Sequence, residues 1–455
     1  MAFGRLIAEM AAAALWVAWT AGSVHAGDAA LAKAEKGQLA KAAAEWVELG
    51  KWCVSKKLGE QAKLCAERAE KADASAAGVK DLRGKADAAE DAAADPDKKT
   101  WEKKLEAAAD KVAGIYEKIF AMGASAPDAA DQARCEGWLW AALEISPTEK
   151  RWKAVAGAIA KIAAGKEEER GYRLAARALG LKPPEKVVPA LRALLEEGAR
   201  KNLVLMTASS HPLCYYFSLP KKFQRAKDRK WPVLVCVDGA GSNFEGMGRG
   251  YADNRGDLPY MVVSPCTFSN TNKIEGGMVE KYRKYYSPET IDDGNKRRID
   301  WDEEGVLAVI QDLKANFDAE DRVYVTGFSG GGNVTYMMIF KHPDLVAGAG
   351  PACANFGHPD YEQMKGKFTA ADLDFPVALF TGEKDEHRDF TFGNKNSPGI
   401  EPQTDWAMKV FEAIGYPNVK RTMVPGMGHS SAVSQVLEAL GPYMLGKKKR
   451  TDKLG

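Results

Sequence analysis

Cysteine is scarce in this chain, which has seven cysteines among its 455 residues. That number is too small for a fold held together by disulfides. None of the seven has the C-x-x-C spacing of a metal site, and we expect neither a metal ion nor a cofactor. Cys53 and Cys65 fall on neighbouring predicted helices. They either form a disulfide in an oxidising compartment or pack as separate thiols, and the sequence leaves both open.

The chain also lacks an excess of charge of one sign. Its 64 basic and 62 acidic residues leave a formal net charge of +2. This near-balance gives no reason to expect a nucleic-acid partner. Hydrophobic residues make up 45% of the chain, which is enough for the cores of about two or three globular domains.

Long apolar runs are missing except near the start, where residues 11–22 are almost all apolar or small. This run is too short to cross a bilayer, which takes about 20 residues, and we expect no stable membrane span. Arg5 precedes the run, and Val24 and Ala26 fit the small-residue pattern that a signal peptidase reads. The pattern predicts a signal peptide over 1–26, cleaved after Ala26, and export to the periplasm or the medium. Glu9 is unusual in such a segment, and an uncleaved anchor is the alternative.

The region from residue 27 to 200 is rich in Ala, Lys and Glu, which favours helix at nearly every position. The predicted core faces of its first two helices consist of Trp46, Leu49 and Cys53, and of Leu64, Ala66 and Ala69, with Leu58-Gly59 at the turn. This pattern resembles the helical hairpins of tetratricopeptide repeats, and an irregular helical bundle is the open alternative. Stacked hairpins usually bind a partner, so we expect that a protein could dock on this domain.

The region from residue 201 to 447 alternates short strand-like runs with helical patterns. The predicted strands are 214–219, 233–237, 261–264, 322–326, 345–349, 377–381 and 419–424, and the main helices are 302–316, 331–341, 404–414 and 430–445. This alternation predicts an α/β domain with a mostly parallel sheet covered by helices on both faces. Residues 448–455 read as a solvated basic tail.

A serine surrounded by glycines follows one of these strands, in "YVTGFSGGGNVTYMM". Residues 327–331 match G-x-S-x-G in the strand–turn–helix setting that this motif requires. The setting predicts Ser329 as a nucleophile held on a tight turn. The N–H of Gly330 then lies near a helix amino terminus, where it can stabilise an oxyanion.

A serine hydroxyl needs a base, and His429 is the best placed of the six histidines. It lies in "VPGMGHSSA", between the last strand and the last helix, whereas the other histidines have no such position. Asp385, just beyond the preceding strand in "VALFTGEKDEHRDF", is the favoured carboxylate to orient the imidazole. Glu383, Glu386 and Asp389 compete with it locally. The order Ser329, Asp385, His429 is the chain order of α/β-hydrolases.

A second oxyanion donor is expected from "DGAGSNFEG" at 238–246, which follows the strand "PVLVCV". Its small residues let the backbone approach a substrate closely. Ala240 N–H is the first candidate and Gly241 N–H the next.

Residues 213–445 resemble the α/β-hydrolase esterases of the polyhydroxybutyrate depolymerase and feruloyl esterase type. The resemblance lies in "PVLVCVDGAGSN", "RVYVTGFSGGGNVTYMMIFKHPDLVAGAGPACA", "VALFTGEKD" and "MVPGMGHS". It implies serine esterase chemistry, with Ser329 as nucleophile, Asp385 as orienting acid and His429 as base. The family commonly has His-Gly where this chain has Asp238-Gly239. A carboxylate pointing inward there would disturb the oxyanion site.

The expected function is therefore that of an exported serine hydrolase that cleaves carboxylic esters on small molecules, polysaccharides or polyesters. A serine peptidase of the same fold and a weakly active or inactive hydrolase-fold protein that acts in binding or as a scaffold are the rival hypotheses. Two long segments, 266–301 and 386–403, carry aromatic residues that either stack on a substrate or pack onto the domain. These residues are Tyr282, Tyr285, Tyr286, Trp301, Phe390 and Phe392.

Overall fold

The computed structural model describes residues 29–91, 95–123, 126, 129–225, 229–356, 369, 372–389 and 398–454. The predicted signal peptide, Phe390 and Phe392 lie outside these ranges. Among the described residues, no helix combines the length and the apolar character that a bilayer crossing needs.

The chain divides into two compact units, one up to Gly157 and one from Ala158 onward. The domain boundary placed near residue 200 from the sequence stays a prediction. The helix that contains the division runs over Glu149–Ala163 and is α6 in the numbering below.

The first unit is helical wherever it is regular. Its helices are α1 (Ala29–Ser55), α2 (Gly59–Asp73), α3 (Val79–Asp87), α4 (Asp95–Gly123) and α5 (Ala129–Ile145). Helix α1 packs against α2 and α4, and α4 packs against α5. Trp46, Leu49 and Cys53 are buried on α1 as predicted, and the turn at Leu58 leads directly into α2. The likeness to tetratricopeptide repeats stays a prediction.

All seven cysteines are buried free thiols. Cys53 and Cys65 lie close enough for a side-chain hydrogen bond, and this contact together with burial raises the pKa of Cys53 well above its usual value. The pair is therefore present as two packed thiols in this structure.

The second unit is built on an eight-stranded sheet within the described residues. The strands are β1 (Val204–Thr207), β2 (Cys214–Ser218), β3 (Val233–Val237), β4 (Met261–Pro265), β5 (Val323–Gly327), β6 (Val346–Ala349), β7 (Val377–Gly382) and β8 (Val419–Val424). Their order is β1-β2-β4-β3-β5-β6-β7-β8. Strand β2 runs antiparallel to β1 and β4, and the remaining pairs are parallel. This order and direction define the α/β-hydrolase fold, so the predicted fold class is confirmed.

Helices cover both faces of this sheet. They are α7 (Glu168–Gly180), α8 (Val188–Lys201), α9 (Phe244–Asp253), α10 (Gly277–Tyr282), α11 (Pro288–Arg297), α12 (Ile299–Asn316), α13 (Gly332–Lys341), α14 (Ile400–Ala413) and α15 (Val433–Met444). Because side chains alternate along a strand, β3 contributes Val233, Val235 and Val237 to one core and Leu234 and Cys236 to the other. The first core includes residues of α12, α13 and α14, and the second includes residues of α9 and α15.

The long segment 266–301 is mostly ordered into α10, α11 and the start of α12. Its aromatic side chains Tyr282, Tyr286 and Trp301 are fully buried around Phe268, with ring centroids 4.6–5.2 Å from that ring. Of the two alternatives for these three aromatic residues, the structure shows packing onto the domain and not an open stacking surface.

Candidate functional site

The predicted site residues follow three parallel strands of the sheet. Ser329 comes two residues after β5, Asp385 follows β7, and His429 follows β8. The carboxyl ends of parallel strands meet at one edge of a sheet, which is where ligands bind in open α/β folds. The three residues therefore lie at the same edge, although they are far apart in sequence.

Ser329 occupies a strained turn between β5 and α13. Its φ of 51° lies in the left-handed region, which non-glycine residues rarely adopt. The serine opens a single 3₁₀ turn, Ser329–Gly331, that leads into α13. A side chain at Gly327 would overlap the hydroxyl of Thr335 and the carbonyl oxygen of Gly331. The glycines around the serine thus permit a turn that the nucleophile motif requires.

A second close approach explains why residue 330 is a glycine. A Cβ atom at this position would overlap the backbone carbonyl oxygen of Asn270. The N–H of Gly330 donates to no other group among the described residues. It is therefore available to an oxyanion in front of the serine.

Asp385 and His429 form a direct pair. His429 Nδ1 lies 2.9 and 3.0 Å from the two Asp385 carboxylate oxygens, and the Asp385 side chain is 1% exposed. The N–H of His387 also donates to Asp385, at 2.8 Å. Burial by itself would raise the pKa of Asp385, but the bonds from His429 and His387 outweigh it, and the pKa is lower than usual. The carboxylate is thus ionised and holds one tautomer of the ring.

The competing acids have other partners. Glu383 accepts a hydrogen bond from the N–H of Gly426 at 2.8 Å, and Glu386 accepts one from the N–H of His429 at 3.2 Å. Both glutamates hold the backbone of the loop that carries the histidine. The geometry therefore separates Asp385, which contacts the ring, from its neighbours, which contact the loop.

The histidine packs beside the residue that precedes the serine, and no hydrogen bond joins the serine to the histidine in the described part of the chain. The ring of His429 packs against the ring of Phe328, with centroids 4.7 Å apart. Among the described residues, the Ser329 hydroxyl makes no hydrogen bond to His429. Catalytic hydrogen bonds are often long in unliganded enzymes and shorten when substrate binds.

A short segment after β6 connects the two halves of the site. Ala352 forms parallel bridges with Phe328, just before the serine, and with Phe380 in β7. The N–H of Ser329 donates to the carbonyl oxygen of Ala352 at 3.3 Å, and the N–H of Cys353 donates to that of Phe380 at 2.8 Å. This segment therefore lies between the strand of the serine and the strand of the acid.

The predicted oxyanion loop lies against the serine. A Cβ at Gly239 would lie 2.9 Å from Cβ of Ser329. The N–H groups of Ala240 and Gly241 donate to no other group in the described part of the chain. The loop thus approaches Ser329 at Gly239, and the two candidate N–H groups that follow it in sequence are unused.

Asp238 bonds to its own loop. One of its carboxylate oxygens accepts a hydrogen bond from the N–H of Asn243 at 2.6 Å. Burial raises the pKa of Asp238, while the N–H groups of Asn243 and Gly239 partly offset that rise. The carboxylate of Asp238 therefore stabilises its own loop. This contact gives no support to the expectation that Asp238 disturbs the oxyanion site.

Cys353 is a neighbour of the site that the sequence did not reveal. Its sulfur, an Asp385 oxygen and a His429 nitrogen lie within 4.8 Å of one another, and all three are types of metal ligand. However, burial raises the pKa of Cys353 to about 12, with the charge of Asp385 contributing. A metal ion would have to displace the proton of this thiol to bind there.

Asn270 and Asp302 are two further residues that sequence reasoning missed. Both are fully buried; Asn270 bonds to Gly239 in the predicted oxyanion loop, and Asp302 accepts bonds from the segment that carries Asn270. Neither belongs to a recognisable motif, and their importance comes only from contacts between distant parts of the chain.

Comparisons with known proteins gave solved structures only. No known family description matches the chain, and no curated protein matches it. A thermostable esterase is 20% identical, with a TM-score of 0.38, over 55% of this chain and 64% of that one. Poly(aspartic acid) hydrolase-1 from Sphingomonas sp. KT-1 is 17% identical, with a TM-score of 0.37, over 51% of this chain and 96% of that one. A ferulic acid esterase is 14% identical, with a TM-score of 0.36, over 53% and 96%.

These three neighbours are esterases or hydrolases. Their identities and TM-scores are low, and the fold assignment rests on the strand order of the sheet itself. The specific likeness to polyhydroxybutyrate depolymerases stays a prediction.

Proposed function

We propose that this protein is a serine hydrolase that cleaves carboxylic esters. One observation carries the proposal: a carboxylate-bound imidazole lies at the same sheet edge as a serine in a strained strand–helix turn. The roles that follow are Ser329 as nucleophile, His429 as general base and acid, and Asp385 as the orienting carboxylate.

The chemistry would proceed in two halves. His429 Nε2 takes the proton of the Ser329 hydroxyl while the Ser329 oxygen attacks the ester carbonyl. The N–H groups of Gly330 and Ala240 then stabilise the negative oxygen of the tetrahedral intermediate. The intermediate expels the alcohol, which receives its proton from His429, and leaves an acyl group on Ser329. Water, deprotonated by His429, attacks that acyl group; the bond from the acyl carbon to the Ser329 oxygen then breaks, Ser329 recovers its proton from His429, and the acid is released.

A covalent probe tests the assignment of nucleophile and base. We expect a fluorophosphonate to label the folded protein at Ser329 and not to label Ser329→Ala. His429→Ala should slow labelling by several orders of magnitude, because the hydroxyl then lacks a base. Asp385→Asn should lower the turnover rate by a factor on the order of 10⁴ through the wrong tautomer.

Two matched controls accompany these variants. Ser430→Ala removes a serine from the histidine's own loop. His342→Ala removes a histidine whose ring nitrogen lies 2.8 Å from Glu303 on α12. Both should be labelled like the unchanged protein. Absence of label on folded wild-type protein would refute the proposed hydrolase function, and normal labelling of His429→Ala would refute the assigned base.

The substrate class is part of the proposal and needs a separate test. Polysaccharide-linked or polyester substrates are favoured by the resemblance of residues 213–445 to esterases of those substrates. A panel should compare acetylated sugars, feruloylated sugars, short p-nitrophenyl esters, hydroxyalkanoate oligomers and peptides. Cleavage of peptides without cleavage of any ester would favour the peptidase alternative.

Export and partner binding are also proposed. Residues 1–26 have the pattern of a signal peptide, and intact-mass analysis of protein from the native cell should give a chain that begins at Gly27. A mass that includes residues 1–26 would contradict export by this route. The helical unit is the proposed docking site for a protein partner.

A further inference from the structure

A buried polar cluster around Asn270 supports the oxyanion loop from behind. Asn270 is 1% exposed, and its carboxamide nitrogen donates to the carbonyl oxygen of Gly239 at 2.7 Å and to the hydroxyl of Ser242 at 3.2 Å. Its carboxamide oxygen lies 3.1 Å from the hydroxyl of Tyr282, which also lies 2.7 Å from the carbonyl oxygen of Thr267. The hydroxyl of Tyr282 also lies 3.1 Å from that of Ser242. One amide side chain thus fixes both ends of residues 239–242.

The main chain of the same residue touches the other half of the oxyanion site. Its carbonyl oxygen lies so close to Gly330 that no Cβ fits between them. Asn270 therefore contacts the loop of Ala240 through its side chain and the Gly330 peptide through its backbone.

The segment that carries Asn270 is itself fixed by two helices. Asp302, at the start of α12, accepts bonds from the N–H groups of Phe268 and Ser269 at 2.8 and 2.7 Å, and from the Ser269 hydroxyl at 2.5 Å. Asn333, on α13, donates to the carbonyl oxygen of Ser269 at 2.7 Å. Because α13 also follows the serine, this bond ties the segment to the nucleophile's own helix.

We propose that Asn270 is a positioning residue that sets the spacing of the Ala240 and Gly330 N–H groups in the oxyanion site. This inference rests on the proposed function. Amide donors stabilise an oxyanion only when they lie about 2.7–3.1 Å from it, so a small shift of the loop weakens the transition state. Binding of the uncharged substrate depends much less on that spacing.

The test compares Asn270→Leu with the unchanged protein on a short p-nitrophenyl ester. Leucine has a similar size but donates no hydrogen bond to Gly239 or Ser242. We expect kcat to fall about 100-fold with KM little changed, and fluorophosphonate labelling of Ser329 to slow in parallel. Circular dichroism and thermal unfolding establish that the variant is folded.

Asn295→Leu is the matched control. Asn295 holds Ile274 in the same long segment by a similar pair of bonds, of 2.7 and 2.9 Å, but has no bond to residues 239–242. Its kcat should stay near the wild-type value. A loss of kcat in Asn295→Leu equal to that in Asn270→Leu would show general loosening of the segment and would overturn the proposal.

Tyr282→Phe keeps the experiment decisive if Asn270→Leu does not fold. It removes one hydroxyl and retains the packed ring, and its kcat should fall in the same direction by a smaller factor. Unchanged kcat in folded Asn270→Leu overturns the role of Asn270 and leaves the hydrolase function standing. If the leucine variant is unfolded, unchanged kcat in Tyr282→Phe has the same meaning. A wild-type protein that is never labelled overturns both. A rise in KM at constant kcat also overturns the inference, because it indicates substrate binding.

Discussion

Gly330 illustrates how a single position can be constrained by a neighbour that is distant in sequence. Its hypothetical Cβ overlaps the carbonyl oxygen of Asn270, whereas at Gly241 no described atom comes within 4 Å of such a Cβ. The space available to a side chain therefore differs sharply between these two glycines.

Gly330→Ala should consequently destabilise the protein far more than Gly241→Ala. We expect a loss of about 2–3 kcal/mol in the free energy of unfolding for Gly330→Ala, because backbone must move to admit the methyl group. For Gly241→Ala we expect a change below about 1 kcal/mol. Denaturant unfolding of both variants measures the difference, and equal effects would show that the approach of Asn270 is not limiting.

At this scale the sequence identified most of the candidate residues. Ser329, Asp385 and His429 follow strands that could be recognised, and a motif or the chain order marked each of them. Asn270 and Asp302 carry no such mark, since an amide or carboxylate on a loop or helix is common. Their hydrogen bonds connect backbone groups more than 30 positions away, which no local pattern encodes.

Among the secondary-structure elements, the entry to β5 contains an unpaired acidic side chain. Glu320 lies just before this strand, where its N–H donates to the carbonyl oxygen of Trp231 at 3.0 Å. Its carboxylate accepts no hydrogen bond from any described residue. Burial raises the pKa of Glu320 to about 7, and the neighbouring Asp321 adds to the rise.

This raised pKa predicts a pH-dependent effect of Glu320→Gln. The folded protein holds the proton more tightly than the unfolded chain, so stability is lost as the pH rises from about 5 to above 7. Glutamine removes that loss. The variant should exceed the wild type by up to about 2 kcal/mol at pH 8, after allowance for solvent screening, and by little at pH 5.

Urea unfolding at both pH values checks this expectation. Glu438→Gln, which removes an exposed carboxylate on α15, serves as the control with the same change in charge. A Glu320→Gln effect of equal size at both pH values would contradict the proposed cause.

An element is easier to predict from the sequence when its buried positions form a clear apolar pattern. Strands β3 and β8 have the predicted bounds, and β3 is an uninterrupted apolar run. Strand β1 was missed because it has four residues, mostly half-buried or exposed, at the sheet edge. Helix α12 begins at Ile299 and not at the predicted residue 302. No side chain caps its start, so the sequence carries no signal for the true first residue. Helix α11 was missed although Ser287 caps it and Pro288 opens it, which is a readable signal.

For the molecule as a whole, the two compact units are stabilised by separate hydrophobic cores. The core of the first unit is formed by residues from Leu31 to Ala142, and the two cores around the sheet consist of other residues. Damage to one core therefore need not alter the other.

Leu82→Ala tests this independence. Leu82 is 0% exposed in the helical core, and its truncation should cost about 2–5 kcal/mol there. We expect the helices to unfold at a lower temperature than in the wild type, as measured by circular dichroism. Fluorophosphonate labelling at 25 °C should be unchanged. Val436→Ala, in a core beside the sheet, is the comparison and should lower the temperature at which labelling is lost. Equal loss of labelling in both variants would show that the two units unfold together.

The segment 351–353 offers a different kind of control over the candidate site. The bridges of Ala352 join the strand of the nucleophile to the strand of the acid, and β6 and β7 share only one further registered pair, Ala349 with Val377. A volume change on this short stretch would move the hydroxyl and the imidazole apart or together without altering either group. Laboratory selection for faster or slower variants should therefore accumulate substitutions in this segment.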